Sequence, residues 1–243
     1  MLAGGAGRRM RGVDKGLIEL DGRPLVQWVA EALRPQVATL LISANRHRER
    51  YAQFGWPVLA DHAVRELAER AADLDVPSAA AVPNQDQIQP FQGPLAGIAS
   101  ALAQIRVWLQ QPLLARPEAQ TDGSTQIHFA SAPAWLLVSP CDTPLIPVDL
   151  GSRLAAALQA SQARIAIAAD QERSQPLHAL IPTDIDADLA DYLHSGRRSV
   201  LGWLARHQVA TVTFEKIPSP FVNLNRPEDA ARVQAQLTAK DRP

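Results

Sequence analysis

The sequence predicts an α/β fold in which a mostly parallel sheet carries helices on both faces. Short apolar segments with strand character alternate along the chain with longer segments of helical spacing. Several of the short segments, such as 135–138 (WLLV), lack polar alternation, which is typical of strands buried on both faces. The length of 243 residues suits one domain of ordinary size. We therefore expect a single domain over residues 1–243.

The elements can be placed in chain order from their patterns. Pro24 suits the first turn of a helix, and Leu25, Val29 and Leu33 recur on one face of that helix. The same reasoning predicts helices over 24–33, 47–54, 94–109, 150–160, 185–194, 200–206 and 227–237. Strands are predicted over 39–43, 58–59, 135–138, 164–168, 177–181 and 209–214.

Two stretches interrupt this alternation, at residues 62–92 and 110–133. Both are rich in Pro, Gln and small residues and contain few large apolar side chains. Such composition favours solvated segments over packed ones. We interpret both as flexible insertions in the single domain.

Composition and charge narrow the function classes. The formal net charge is -1, so no overall basic field points to nucleic acid or to an anionic membrane. No apolar run is long enough for a membrane span, and the start of the chain lacks the apolar region of a signal peptide. The single cysteine, Cys141, excludes an intramolecular disulfide. We expect a cytoplasmic protein without nucleic-acid or membrane partners.

The segment 2–16, LAGGAGRRMRGVDKG, combines glycines with cations. Glycines let backbone amides approach a phosphate closely, and Arg8, Arg9 and Lys15 supply positive charge. The Walker A spacing is absent, and Met10 stands where the dinucleotide fingerprint needs its third glycine. The segment therefore predicts polyphosphate binding of another kind, with a flexible basic tail as the alternative.

A second motif, SPCDTP at 139–144, follows the predicted strand WLLV directly. Open α/β sheets bind ligands at the carboxyl ends of their strands, which is where Asp142 would lie. Its carboxylate suits Mg²⁺, an ion that keeps waters and phosphate oxygens beside few protein ligands. The alternative is that Asp142 caps a turn before the prolines. We interpret Cys141 as a packed apolar residue, because no histidine in the motif would activate it.

These motifs occur in order with ISANR (42–46), Asp61, GPLAG (93–97) and FVNLNRPED (221–229). The set resembles the molybdenum cofactor guanylyltransferases and covers the chain from residue 2 to about residue 232, apart from the two insertions. The resemblance implies a three-layer Rossmann-like nucleotidyltransferase domain. It also implies that Mg²⁺ assists transfer of GMP from GTP to the terminal phosphate of molybdopterin, with release of pyrophosphate.

The resemblance further implies the site residues. The backbone of Leu2, Ala3, Gly4 and Gly5 would bind the nucleotide with Lys15, Ser43, Asp61 and Asp142; Arg9, Lys15 and Asp142 would be catalytic; Asp142 would bind the metal; Asn223 and Asn225 would bind molybdopterin. Asp61 could instead be a turn residue, and the two asparagines could cap the helix that follows. Proteins that insert or receive the finished cofactor are the implied partners beyond GTP and molybdopterin.

Two other functions stay open at this point. A cytidylyltransferase acting on molybdopterin, or on another phosphorylated small molecule, would use the same glycine loop and Asp142. A non-catalytic nucleotide-binding adaptor would need neither Lys15 nor Asp142, although both are present. We expect guanine to be preferred on the resemblance alone.

The resemblance also raises an expectation about the start of the chain. Members of the family carry an apolar strand before LAGG, whereas only Met1 precedes Leu2 here. We expect that Met1 alone cannot anchor the glycine loop. We also expect in-frame codons upstream of Met1 to encode a short β-branched run, and the extended chain to be more stable and more active.

Overall fold

The structure is a computed structural model that describes residues 1–3, 14–60, 93–110, 135–215, 219–224, 229 and 233–234. The predicted insertions, apart from Gln110, and most of the predicted closing helix lie outside these ranges. Of the helices in these ranges, none is long and apolar enough to cross a membrane.

The elements follow the predicted alternation of strands and helices. The strands are β1 (Glu19–Leu20), β2 (Arg23–Pro24), β3 (Ile42–Ser43), β4 (Val58–Leu59), β5 (Trp135–Val138), β6 (Ile165–Ala169), β7 (Ser174–Pro182) and β8 (Val209–Thr213). The α-helices are α1 (Leu25–Leu33), α2 (Arg48–Ala52), α3 (Pro94–Gln110), α4 (Leu150–Gln159), α5 (Asp186–His194) and α6 (Val200–Leu204). Each matches a predicted element within a few residues except the pair β1 and β2, which the patterns did not predict.

The largest sheet is mixed, so the expectation of a mostly parallel sheet is not confirmed for it. Its strand order is β5-β7-β6-β8, with β7 antiparallel to both neighbours and β6 parallel to β8. The reason is the short connection between β6 and β7, where the Asp170 amide donates to the Arg173 carbonyl at 3.0 Å. A tight turn joins only antiparallel neighbours, whereas parallel strands need a long crossover. A separate parallel pair is formed by β3 and β4.

Residues 1–3 lie between these two groups of strands. Leu2 forms parallel bridges with Ser43 on one side and with Pro140 on the other. The Ser43 amide donates to the Met1 carbonyl at 2.9 Å, and the Ala3 amide donates to the Ser43 carbonyl at 2.7 Å. Backbone pairing on both sides therefore holds the first three residues, whereas the glycine loop beyond Ala3 lies outside the described ranges, so the expectation about its anchoring stays a prediction.

Helices pack on both faces of the mixed sheet. Successive residues of β6 point to opposite faces, and all five are buried. Ala166 and Ala168 join the apolar cluster that includes residues of α1 and α4. Ile165 and Ile167 join the cluster that includes residues of α3 and α5. This two-sided burial explains why β6 lacks the polar alternation of a solvent-facing strand.

The hairpin of β1 and β2 follows the predicted phosphate loop. Its turn residues, Asp21 and Gly22, have φ values of 55° and 70°. Two successive residues in the left-handed region are characteristic of a type I′ turn, for which Asp-Gly is a preferred sequence. That dipeptide was the available signal, but the flanking strands of two residues are too short to show alternation.

An apolar cleft of about 790 Å³ opens at the end of the strands opposite to Asp142. The Met1 amino group is buried beside this cleft and donates to the Leu41 carbonyl at 2.7 Å. Burial lowers the pKa of this amino group to about 6. The cleft is lined chiefly by apolar side chains, among them Leu40, Leu41, Ile98, Ile105, Leu136 and Val148.

Candidate active site

Lys15 and Asp142 meet at the carboxyl end of the strands, although 127 positions separate them in the chain. The Lys15 Nζ lies 2.9 Å from the Asp142 Oδ2, and the two side chains are 27% and 12% exposed. Removing either partner from a largely buried ion pair leaves the other charge uncompensated, which is costly. Both residues were predicted from separate motifs, and the structure brings them together.

The position of Asp142 is fixed by backbone hydrogen bonds on both sides. After β5 the chain passes beside residues 1–3, where the Cys141 amide donates to the Leu2 carbonyl at 3.0 Å. On the other side, the Leu224 amide donates to the Asp142 carbonyl at 2.8 Å. The carboxylate therefore projects from a segment tied both to the start of the glycine loop and to the FVNL segment.

The position of Lys15 depends on a short 3-10 helix over Lys15–Leu17. Asp14 caps this helix, because its Oδ1 accepts a hydrogen bond from the Gly16 amide at 3.3 Å. The hydroxyl of Tyr51 donates to the same oxygen at 2.5 Å. A Cβ atom at position 16 would overlap that hydroxyl, so the motif needs glycine there. Asp14 and Gly16 thus set the direction in which Lys15 leaves the backbone.

The predicted nucleotide side brings three of the sequence motifs into contact. Leu2 and Ser43 pair through their backbones, as described above. A Cβ atom at Gly97 would lie 3.0 Å from the Leu2 Cδ2 and closer still to the Ser43 Oγ. Glycine at the end of GPLAG therefore lets helix α3 approach the strand ends. The Ser43 side chain is buried and faces Gly97.

The predicted molybdopterin side lies next to the Asp142 segment. The Thr143 Oγ1 donates to the Asn223 Oδ1 at 3.3 Å. The neighbour of Asn223 in the chain, Leu224, is the residue whose amide bonds to Asp142. These two contacts bring Asn223 close to the predicted metal ligand and connect the PCDTP and FVNL segments.

His178 lies in the core behind this segment, with its ring centroid 4.7 Å from that of Phe221. Its side chain is buried, and its Nε2 has no hydrogen-bond partner among the residues that the structure describes. Burial lowers the pKa of His178 to about 3. The imidazole is therefore neutral at pH 7 and packs as part of the core.

Cys141 behaves as the sequence predicted. It is buried within the larger apolar cluster, and burial raises the pKa of its thiol above the usual range. A thiol that stays protonated is a poor nucleophile. Its contribution is packing behind Lys15 and Asp142, where a Cβ atom at Gly16 would lie 3.1 Å from its sulfur.

Five predicted site residues lie outside the described ranges: Gly4, Gly5, Arg9, Asp61 and Asn225. Their roles stay predictions. The sequence reasoning in turn missed Asp14, Tyr51 and Thr143. Asp14 and Thr143 flank predicted residues in their motifs, which was an available signal. Tyr51 is a single aromatic residue in a short helix, and no pattern marked it.

The donors present suit a metal that takes few protein ligands. Over the described ranges, no group of three or more His, Cys, Asp or Glu side chains clusters in a way that could hold an ion. The Asp142 carboxylate is accessible enough to offer one hard oxygen ligand. This donor chemistry fits a divalent metal bound largely by water and by the phosphates of a substrate.

Comparisons with known proteins agree on one family. The model of the MobA-like NTP transferase domain matches residues 1–210. A molybdenum cofactor guanylyltransferase of Shewanella sp. (strain MR-4) is 35% identical over 237 residues, which cover 98% of this chain and 94% of the relative. The enzyme of that name in Shewanella baltica (strain OS155) is 34% identical over 238 residues, covering 98% and 95%.

A solved structure shows the same fold at lower sequence identity. The molybdopterin-guanine dinucleotide biosynthesis protein A of Archaeoglobus fulgidus superposes with a TM-score of 0.62 and is 18% identical. The superposition covers 98% of this chain and 97% of that protein. The likeness therefore extends over the mixed α/β domain as a whole.

Proposed function

The chain belongs to the molybdenum cofactor guanylyltransferases, within the MobA-like NTP transferase family, and we propose that it transfers GMP from GTP to the terminal phosphate of molybdopterin. The observation that carries the proposal is the meeting of Lys15 and Asp142 at the carboxyl end of the strands. One offers a cation to phosphates and the other a ligand to a divalent metal, and the segment of Asp142 pairs with Leu2 at the start of the glycine loop.

The reaction is a displacement at the α-phosphorus of GTP. An oxygen of the molybdopterin terminal phosphate forms a bond to that phosphorus, and the bond between it and the oxygen bridging to the β-phosphorus breaks. Pyrophosphate leaves with the electron pair. A phosphomonoester has a second pKa of about 6 and is already largely dianionic at pH 7, so the attack needs no general base. The protein has to place two anions together and to neutralise them.

Lys15 and Asp142 divide that task. Asp142 would hold Mg²⁺, which when bound supplies positive charge to the phosphate oxygens of GTP. The Lys15 ammonium lies 2.9 Å from the same carboxylate, so it would offer positive charge to the phosphates of a nucleotide bound beside Asp142. Arg9 would add a second cation from the glycine loop. We assign these three residues as catalytic.

The substrates would lie on opposite sides of Asp142. The backbone of Leu2, Ala3, Gly4 and Gly5 would bind GTP, together with Ser43 and Asp61. Backbone pairing of Leu2 and Ser43 supports this, because it gives the start of the loop one geometry. Asn223 and Asn225 would bind molybdopterin, and the contact of Asn223 with Thr143 supports that side.

We also propose an overall architecture and a cellular location for this protein. We infer a three-layer, Rossmann-like single domain over residues 1–243 whose complete sheet is mostly parallel, supported by the Leu2 bridges that join the two groups of strands. We further infer that the protein acts in the cytoplasm and passes the product to proteins that insert or receive the cofactor. The buried, reduced Cys141 is compatible with that compartment.

The test is product formation by purified protein supplied with molybdopterin, Mg²⁺ and equal concentrations of GTP and CTP. We expect the guanine dinucleotide by mass spectrometry, and an equal amount of pyrophosphate. The expected preference for guanine rests on the family. Formation of the cytosine dinucleotide would support the cytidylyltransferase alternative, and nucleotide binding without either product would support a non-catalytic role.

A further inference from the structure

Tyr51 is buried in the core but directs its hydroxyl at the segment that carries Lys15. Its side chain has no exposed surface and belongs to the apolar cluster that includes Met1, Ala3 and Cys141. A buried hydroxyl needs a hydrogen-bond partner, and this one donates to the Asp14 Oδ1 at 2.5 Å. The contact links helix α2 to a segment 37 positions earlier in the chain.

One carboxylate oxygen connects the tyrosine with the lysine. The Asp14 Oδ1 accepts from Tyr51 and also from the Gly16 amide in the first turn of the 3-10 helix. Lys15 lies between Asp14 and Gly16, and its ammonium reaches Asp142. A hydrogen bond to a charged acceptor is stronger than one between neutral groups, so this connection is well suited to fix the turn.

The turn that carries Lys15 makes few backbone hydrogen bonds of its own. The 3-10 helix is three residues long, and its own backbone bonds from Leu17 to Asp14 and from Ile18 to Lys15 are both 3.2 Å. Helices this short gain little from their own bonds, which leaves the cap and its support to set the geometry.

We propose that Tyr51 is a positioning residue for Lys15. Through Asp14, its hydroxyl holds the turn so that the lysine ammonium points to the nucleotide phosphates. The inference rests on the proposed role of Lys15 at those phosphates, and it adds a residue that no motif marked. Tyr51 itself does not touch the substrate.

The chain offers a matched control in its second tyrosine. Tyr192 is 2% exposed and donates one hydrogen bond to the Ser199 carbonyl at 3.0 Å. It belongs to the other large apolar cluster, away from Lys15. Tyr51→Phe and Tyr192→Phe therefore each remove one buried hydroxyl with one bond, and only the first removes a contact with Asp14.

The experiment measures the Kd of Mg·GTP for the wild type, Tyr51→Phe, Tyr192→Phe, Lys15→Ala and the double variant Lys15→Ala/Tyr51→Phe. We expect Tyr51→Phe to weaken binding about three- to tenfold, the range expected for the net worth of one buried hydrogen bond. Tyr192→Phe should leave the Kd unchanged. In the Lys15→Ala background the loss of the Tyr51 hydroxyl should have no further effect, because the group that it positions is gone.

An equal loss in both backgrounds would show a general structural role and overturn the inference, as would a Tyr51→Phe Kd equal to that of the wild type. If Tyr51→Phe does not fold, Asp14→Ala replaces it in the same cycle with the same expectation. Product formation is measured separately. A wild type that binds GTP with this coupling but forms no dinucleotide contradicts the proposed function alone, whereas one that binds no GTP overturns both.

Discussion

The two ends of the central strands differ in the side chains that surround them. At the carboxyl end, polar groups meet in defined pairs: Lys15 with Asp142, and Thr143 with Asn223. At the amino end, the same strands border an apolar cleft of about 790 Å³. Among the described residues that line this cleft, the only ionisable group is the Met1 amino group, whose burial lowers its pKa to about 6.

This difference indicates that ligand binding depends on the polar end of the sheet, whereas the apolar end mainly affects stability. The polar end is held by backbone bonds from several segments, which is what a site for charged ligands requires. The apolar end leaves side chains such as Leu40 and Leu136 beside open space. Among the described residues, apolar side chains that line this cleft make fewer packing contacts than they would in a filled core. Changes at the two ends should therefore affect different measurements.

The largest effect should follow from Asp142→Ala at the polar end. We expect turnover to fall by a factor of about 100 or more, the usual loss when a group that stabilises transition-state charge is removed. The protein should still fold but melt at a lower temperature, because Lys15 loses its partner in a largely buried ion pair. Pyrophosphate release and melting temperature are the measurements. Asp184→Ala is the control, since the Asp184 side chain is 75% exposed. Pyrophosphate release near the wild-type rate would remove Asp142 from the site.

The next effect concerns the apolar end. We expect an extension of about five β-branched residues before Met1 to add a strand in the cleft, which removes a buried amino group and buries apolar surface. The melting temperature should rise by about 5 °C or more, because 1 kcal/mol shifts it by about 2–4 °C in a domain of this size. The affinity for GTP should improve only slightly. A Gly-Ser extension of equal length is the control, and equal melting temperatures for the two extensions would contradict this account of the cleft.

A smaller effect should appear at acid pH through His178, which lies behind the polar end. Its pKa is about 3 in the folded protein, well below the ordinary value of about 6.5. The unfolded chain therefore binds this proton first, so stability is retained above pH 6.5 and is lost as the pH falls from about 6.5 towards 3. His178→Leu should flatten that decline in denaturant midpoints. The control is His194→Leu at an exposed site. A variant whose acid decline matches the wild type would show that His178 contributes nothing to it.

Much of this fold could be predicted from the sequence, and the exceptions have physical causes. Apolar runs such as 165–169 indicate strands because burial on both faces leaves no polar position. The direction of a strand cannot be predicted from its apolar pattern, because the pattern is the same in both directions. Strand β7 is antiparallel to β6 because a short turn connects the two. The hairpin at Asp21 and Gly22 has strands too short for any periodicity to register.

The site residues likewise include some that the sequence predicts and some that it does not. Lys15 and Asp142 were predicted because each lies in a motif whose chemistry can be interpreted locally. The spacing of these two residues in the sequence does not predict their contact across 127 positions. The family resemblance and the arrangement of the sheet are what place them together. Tyr51 could not have been predicted, since its role depends on a hydrogen bond to Asp14 that only the folded chain creates.

The most direct test of the central claim follows the α-phosphorus and the γ-phosphorus of GTP separately. Wild type and Asp142→Ala are incubated with molybdopterin, Mg²⁺ and GTP that carries radioactive phosphorus in either the α or the γ position. We predict that the α label enters the molybdopterin dinucleotide, that the γ label leaves as pyrophosphate, and that both fall together in Asp142→Ala. Transfer of the γ label to molybdopterin, or equal transfer of the α label by the variant, would contradict the account.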